Sequence, residues 1–501
     1  MQYLLSSQEM KQCDKNTIEY FGVPSLVLME RAALSVYGEI LQRFPKKEEK
    51  ALVLCGAGNN GGDGFAIARL LHLAGYKIKI LFPMEDGKLT PEAKAQRHSA
   101  LQYGIPEIFD WNGSSYDVII DALFGIGLSR NIEGKPADIL RSVNQATAYK
   151  IAVDIASGIE TDTGQILGTA FRADLTVAFG FAKIGQLLYP GAEYTGMLHV
   201  ADIGIDANSL MGKRPAGSYL KAAGVKELLP VRSAYSNKGS YGKALVIAGS
   251  FTMAGAAYFA AKAAYYSGCG LVRIFTAKEN REILLTKLPE AIITTYEAGQ
   301  TNWEELDDCL EWADAVLAGP GISQSAAAEE ILAHALKKKQ KKIVLDADAL
   351  NLLSKRRELL HELSGERVIT PHLGEMSRLL GKTVKKIQSE ILKTAVSFAE
   401  KYQICCVLKD ARTVIGMPDG TFFVNTSGNH GMATGGSGDV LSGFLTGFLA
   451  QGLSLKDAAA LSVYLHGTAG DFAREKRGAA GMLASDILEM LPETRKLSGK
   501  E

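Results

Sequence analysis

Two series of short apolar runs, each alternating with helix-spaced patterns, constrain this chain more than any other feature. In the first series, runs at 51–55, 77–82, 117–122, 150–155 and 174–179 read as buried strands. Residues 25–43 carry helix-spaced apolar positions, and a helix is expected from the end of the first strand through Ala74. Ser6 and Glu9 have capping-box spacing, and Thr90-Pro91 gives a cap followed by proline in the first turn. Such alternation predicts a mostly parallel sheet with helices on both faces. From 206 to 240 the periodicity breaks, punctuated by Gly212, Pro215, Gly217 and Pro230. The second series then gives strands at 244–249, 271–276, 315–318, 342–346, 368–370 and 404–409. A hairpin of 413–416 and 421–425 turns at Pro418-Asp419-Gly420, and a helical tail runs from 438 to 491. The expectation is two α/β domains, 1–216 and 217–501.

Composition narrows the function classes. The chain has 501 residues, 47% of them apolar, which is enough for more than one core. Basic and acidic residues number 55 each, so no wholesale basic surface exists for nucleic acid. Six cysteines form no C-x-x-C pair, which points away from zinc and disulfide frameworks and towards a reducing cytoplasm. The N-terminus lacks a basic segment followed by an apolar core. The uncharged stretch 440–455 is too short and too polar to span a membrane. A cytoplasmic protein with neither membrane nor nucleic-acid partner is expected.

Of the nine residues from Gly56 to Gly64, five are glycine, and they join a strand to a helix. Gly56, Gly58 and Gly61 satisfy G-x-G-x-x-G, a pattern that lets backbone approach a pyrophosphate at a helix N-terminus. Asp63, read as close to the helix start, would repel a pyrophosphate, which argues against a plain dehydrogenase. Asn59 and Asn60 offer amides for ribose, carboxamide or metal. Two later strands end in an acid and a flexible loop, Asp121 to Leu128 and Asp154 to Gly158. Ligands of open α/β sheets bind beyond the carboxyl ends of strands, where Asn60, Asp121 and Ser157 would converge as oxygen donors for a hard cation. Asp154 at the same edge suits general acid–base work, although each Asp alone also suits a helix cap.

The second domain has its own glycine turn, Gly431 to Asp439, ahead of an apolar helix. Its amides and helix dipole can hold a phosphoryl group, with Asp439 placed to take a proton from an attacking hydroxyl. No Walker A lysine pattern is present, so a P-loop is excluded. Lys409 to Thr413 joins a strand to the hairpin and can bind nucleotide phosphates or be an ordinary turn. His372 stands at a strand end, as ligand or as structural histidine. Asp346 and Asp348, at another strand end, either position a metal or cap the next helix.

Taken together, these motifs resemble the bifunctional NAD(P)H-hydrate repair enzymes over nearly the whole chain. The first domain is similar to NAD(P)HX epimerases at 58–64, 121–128 and Lys183-Ile184-Gly185. The second is similar to ADP-dependent NAD(P)HX dehydratases at 238–242, 346–351, 370–372 and 431–439. The resemblance implies a Rossmann-like three-layer domain followed by a ribokinase-like α/β domain. It implies that the hydrate of the first domain lies against Asn59, Asn60, Gly61, Gly62, Asp63, Gly125, Ile126, Gly127, Leu128, Ser129, Arg130, Asn131 and Asp154. Asn60, Asp121 and Ser157 would bind potassium. In the second domain Gly255, Gly321, His372 and Asp439 would contact the hydrate. Lys409, Asp410, Ala411, Arg412, Thr413 and Gly438 would hold ADP. The chain departs from the family at Ala156, Leu373 and His430, where proline is usual, and at Asp410 and Arg412, where smaller residues are usual.

The activity implied is nicotinamide nucleotide repair, with NADHX, NADPHX and ADP as substrates, in a homo-oligomer. The hydroxyl of the hydrate leaves poorly until ADP phosphorylates it, with Asp439 as base and magnesium on the phosphates. The first domain would interconvert the two epimers, with Asp154 as acid–base group. Two rivals stand beside this reading. One is a sugar or vitamin kinase fused to an NAD-dependent dehydrogenase. The other is a first domain that only binds nucleotide or protein partners.

Overall fold

The computed structural model describes residues 1–84, 89–111, 113, 115–297 and 300–498. It divides into two compact units, Tyr3–Gly217 and, with Met1–Gln2, Ser218 onward.

In the first unit a seven-stranded parallel sheet is built from β1 (Lys50–Cys55), β2 (Lys77–Leu81), β3 (Glu107–Ile108), β4 (Val118–Ala122), β5 (Tyr149–Val153), β6 (Leu175–Phe179) and β7 (Met197–Ala201). The strand order is β3-β2-β1-β4-β5-β6-β7. Ala51, Val53 and Cys55 of β1 pack into one core and Leu52 and Leu54 into the other, so both faces of the sheet are covered. Burial on both faces is why these strands read as continuous apolar runs. Helices Ser25–Arg43 and Asn59–Leu73 cover one face, and Gly134–Gln145 covers the other. The capping box at Ser6 and Glu9 forms, as does the Thr90 cap followed by Pro91. The order reverses between β1 and β4, which opens a crevice beyond their carboxyl ends.

The second unit has β8 (Lys243–Ile247), β9 (Leu271–Ala277), β10 (Ile292–Tyr296), β11 (Ala315–Ala318), β12 (Lys342–Leu345), β13 (Arg367–Ile369), β14 (Cys405–Leu408), β15 (Val414–Gly416) and β16 (Phe422–Val424). They run in the order β10-β9-β8-β11-β12-β13-β14-β15-β16. Pairing is parallel as far as β14, then antiparallel through the hairpin. Helices Ala254–Tyr266, Ser437–Ala450, Leu455–Arg477 and Ala484–Arg495 bury one face of this sheet. The Gly319-Pro320-Gly321 turn, Asp346, His372 and Lys409 follow four successive parallel strands, at one edge.

Among the strands named above, β3, β7 and β10 were not expected from the sequence. β3 spans two residues, β7 alternates exposed with half-buried positions, and β10 alternates half-buried with buried ones after an exposed first residue. The expected helix after β1 begins inside the glycine run, at Asn59. Asp63 therefore sits in the second turn rather than at the helix start, which corrects the repulsion argument.

Candidate functional sites

Glycine is required in the first turn by close approach. A Cβ on Gly56 would lie 1.9 Å from the Leu123 carbonyl oxygen, and one on Gly61 would lie 1.9 Å from that of Gly56. A Cβ on Gly64 would meet Ala122 and Cys55 at 2.7 and 2.9 Å. The glycines thus seat the helix directly on β1 and β4 and leave a cavity of about 620 Å³ in the crevice. Asn59, Asn60, Asp63, Gly125, Ile126, Gly127, Leu128, Ser129, Arg130 and Asp154 line it. Gly61, Gly62 and Asn131 do not; Gly61 packs on Gly56, and Gly62 against Met29 and Ala93.

Beneath the cavity wall, Asp121 is fully buried. Ser157 donates to it twice, from its backbone N–H and its hydroxyl, both at 2.7 Å. The Leu123 N–H donates at 3.2 Å. Burial still pushes the Asp121 carboxyl up to about 6, against these hydrogen bonds. The Phe124 N–H donates to Ser157 Oγ at 2.8 Å, and the adjoining Gly125 abuts the Asn60 side chain. Asn60 Nδ2 is buried without a hydrogen-bond partner among the described residues. These three residues thus border one loop.

Asp154 follows β5 with φ of 63°. A non-glycine residue held there costs on the order of 1 kcal/mol, so its surroundings must fix it. They do. The Phe179 N–H donates to its carboxylate at 3.0 Å, and Gln186 Nε2 donates to its carbonyl at 2.6 Å. Fully buried Lys183 pairs with the carboxylate and also donates to the Phe179 carbonyl at 3.0 Å. Three more carboxyls line the pocket, Asp14, Asp63 and Glu92. Burial and the charge of Asp154 push Asp14 up to about 6, opposed by Lys183. Burial, Asp154 and Asp14 push Asp63 well above the usual carboxylate range.

In the second unit, Asp439 lies in the first turn of Ser437–Ala450. The N-cap, Gly436, brings no side chain to occupy the first amides. A Cβ on Gly438 would lie 3.3 Å from Lys409 Nζ and 3.8 Å from Asp346 Oδ2, so the glycine turn faces that pair. Lys409 Nζ contacts Asp346 at 2.8 Å. Burial and Asp346 push Asp439 up to about 7, with Lys409 pulling down. His372 caps the helix Leu373–Leu380, accepting at Nδ1 from the Gly374 N–H at 2.9 Å. Burial, Lys409 and Arg378 lower its pKa. The His372 N–H donates to Glu375 at 2.8 Å, and burial pushes Glu375 up to about 7. Gly321, with φ of 61°, packs on Met253 and Ala256 at the start of the helix bearing Gly255. A Cβ on Gly255 would meet nothing within 4 Å. After β14, Arg412 donates to the Thr426 carbonyl at 2.6 Å and Thr413 is buried, while Asp410 is half-buried and Ala411 exposed.

Profiles described as "NAD(P)H-hydrate dehydratase" and "YjeF-related protein N-terminus" match residues 244–493 and 25–185. A bifunctional NAD(P)H-hydrate repair enzyme from Moorella thermoacetica is 38% identical, covering 98% of this chain and 96% of its own. The chain belongs to the bifunctional NAD(P)H-hydrate repair enzyme family. The Escherichia coli repair enzyme is 35% identical over 97% of this chain and 92% of its own. Among solved structures, a ribokinase-like superfamily protein from Enterococcus faecalis matches with a TM-score of 0.51 and 31% identity, covering 56% of this chain and 96% of that one.

Beyond the residues expected from the sequence, the structure places Asp14, Lys183, Glu375 and His466 near the sites. Lys183 stood in a quoted motif but had no role. Glu375 carries the capping-box spacing after His372, a signal that was available. His466 is 7% exposed with no partner for Nε2 among the described residues. Burial takes its ring down to about 4, so it stays neutral near Ser437 and Lys409. No helix among the described residues is long and apolar enough to cross a membrane.

Proposed function

We propose that the chain repairs hydrated nicotinamide nucleotides: it epimerises NADHX and NADPHX in the first unit and dehydrates one epimer with ADP in the second. What carries this reading is one chain, matched end to end by repair enzymes, with an independent carboxylate site in each unit.

In the second unit Asp439 takes the proton of the hydrate's hydroxyl. That oxygen forms a bond to the β-phosphorus of ADP while the bond to the AMP oxygen breaks. Phosphate then departs with the C–O electron pair, the neighbouring ring carbon loses a proton, and the double bond returns. A base titrating near 7 suits proton transfer at neutral pH. Lys409 and the amides of Gly436, Ser437 and Gly438 receive the negative charge. Asp410, Ala411, Arg412 and Thr413 flank the nucleotide, and Gly255, Gly321 and His372 flank the hydrate. No cluster of three or more His, Cys, Asp or Glu suited to a metal exists among the described residues. Magnesium would therefore take its oxygens chiefly from the nucleotide phosphates, whose charge it offsets.

In the first unit Asn60, Asp121 and Ser157 suit potassium: all offer oxygen, and Asp121 is a buried carboxyl without a cation partner among the described residues. The ion would fix the Phe124–Gly125 loop that walls the pocket. Asp154 acts on the hydrate. Six buried free cysteines suit a cytoplasmic setting, and a homo-oligomer is the expected assembly.

The test is recovery of reduced-nicotinamide absorbance from mixed epimers with ADP. Asp439→Asn should abolish recovery while epimer exchange continues. Retained dehydration refutes the role of Asp439, and failure of the unaltered chain with ADP and with ATP refutes the repair reading.

A further inference from the structure

We propose that Asp14 is the second catalytic group of epimerisation, the acid that protonates the departing hydroxyl while Asp154 serves as base for its replacement. The inference rests on the epimerase reading of the first unit.

Water that adds across an enamine double bond leaves its hydroxyl on the carbon bonded to nitrogen. Inverting that carbon needs no redox step. The C–O bond breaks with its electron pair going to oxygen, a carboxylic acid supplies the proton, and water is released. The ring nitrogen's lone pair forms the C=N⁺ bond. A water then adds from the opposite face, the π pair returns to nitrogen, and a carboxylate takes the water's surplus proton. One acid and one base are required. The proton ends on the base and returns to the acid through pocket water. The reverse direction starts from the exchanged protonation state.

The cavity holds carboxyls that differ in the way this chemistry demands. Asp154 comes from the end of β5 and is ion-paired to a fully buried lysine. Asp14 comes from a different element, the helix Ser7–Lys15, and lines the same cavity. It makes no ion pair within 4.0 Å among the described residues. The charged side chains around it are Asp63, Asp154, Lys183, Lys11, Glu92 and Arg130. The nearest influences oppose each other, Asp154 favouring the proton and Lys183 disfavouring it; burial tips the balance and leaves Asp14 titrating at about 6. Asp63 lines the cavity from the glycine helix, and burial, Asp154 and Asp14 push it well above the usual carboxylate range. Two carboxyls from separate elements, one held by a buried lysine and one without an ion pair among the described residues, divide into base and acid.

The test uses the full chain without nucleotide, so that dehydration is silent, and separates the NADHX epimers by chromatography in water enriched in oxygen-18. The unaltered protein should interconvert the epimers and place a solvent oxygen in each inverted product. D14N should lower kcat by about 100-fold with KM within about threefold, and D14E should recover much of the loss. The fall in wild-type kcat above about pH 6, as Asp14 loses its proton, should vanish in D14N. Exchange by D14N at near wild-type rate overturns the proposal, as does equal loss in D14N and D14E, or inversion without oxygen exchange. Absence of exchange in the unaltered protein instead overturns the epimerase reading beneath it.

Discussion

Gly443→Ala sets two effects against each other on the helix that begins with Asp439. Gly443 lies inside Ser437–Ala450, where alanine is intrinsically better by about 1 kcal/mol. Its missing side chain faces Ala254–Tyr266. A Cβ there would lie 2.0 Å from the Ala260 carbonyl oxygen and 2.6 Å from the Ala260 Cα. An ordinary carbon–oxygen contact is about 3.3 Å, so the helices must part by more than ~1 Å. The obstacle is backbone, which has no rotamer to yield. Gly447, one turn on, is equally confined, 2.6 Å from the Ala264 carbonyl oxygen, so the helix cannot tilt about that point. Overpacking of this kind costs about 1–3 kcal/mol, and against backbone its upper range should outweigh propensity, for a net loss of up to about 2 kcal/mol in the second unit. Asp439 lies one turn before Gly443 and moves with it. A misplacement of about 1 Å costs up to about 100-fold in rate. Urea denaturation and dehydratase kcat read the two effects. Gly481→Ala, whose Cβ would lie 3.7 Å from the Arg477 carbonyl oxygen, is the control. A more stable Gly443→Ala protein with unchanged kcat would refute the packing argument.

Lys183→Met should destabilise the first unit by about 3 kcal/mol, because Asp154 is left beside Asp14 and Asp63 without its cation. Urea denaturation checks this, and a Lys183→Met protein as stable as the unaltered one refutes it. Dehydratase kcat should rise with pH through about 7, because Asp439 must lose its proton to act and its pKa is raised there. Glu375 titrates over the same range, so the measured midpoint belongs to the group of carboxyls; a profile that falls with rising pH contradicts the assignment. Gly61→Ala forces a Cβ against the Gly56 carbonyl oxygen at 1.9 Å and should abolish epimer exchange with dehydration retained, read by parallel assays.

How far the sequence reveals this molecule depends on how local each signal is. Strands such as β1 and β4, covered on both faces, announce themselves as unbroken apolar runs. β7 has one exposed side, and β3 is two residues long, so neither leaves such a mark. The glycine turns are legible because backbone crowding admits no other residue at Gly56 or Gly61. The site carboxyls fall into two kinds. Asp121, Asp154 and Asp439 each adjoin a strand end or glycine turn, and topology brings such positions to the binding edge. Asp14 has no such neighbour: it is a charged residue on an amphipathic helix, no more marked in sequence than the solvated Lys11 and Lys15 around it. Only the docking of that helix over the crevice separates it from them. Lys183 presents the converse case. A lysine ordinarily signals surface, yet this one is fully buried because Asp154, the Phe179 carbonyl and the turn at Gln186 complete its surroundings. Pairing across nearly thirty residues leaves no periodic trace, so the ion pair that holds Asp154 in its left-handed conformation becomes visible only when β5 and β6 lie side by side.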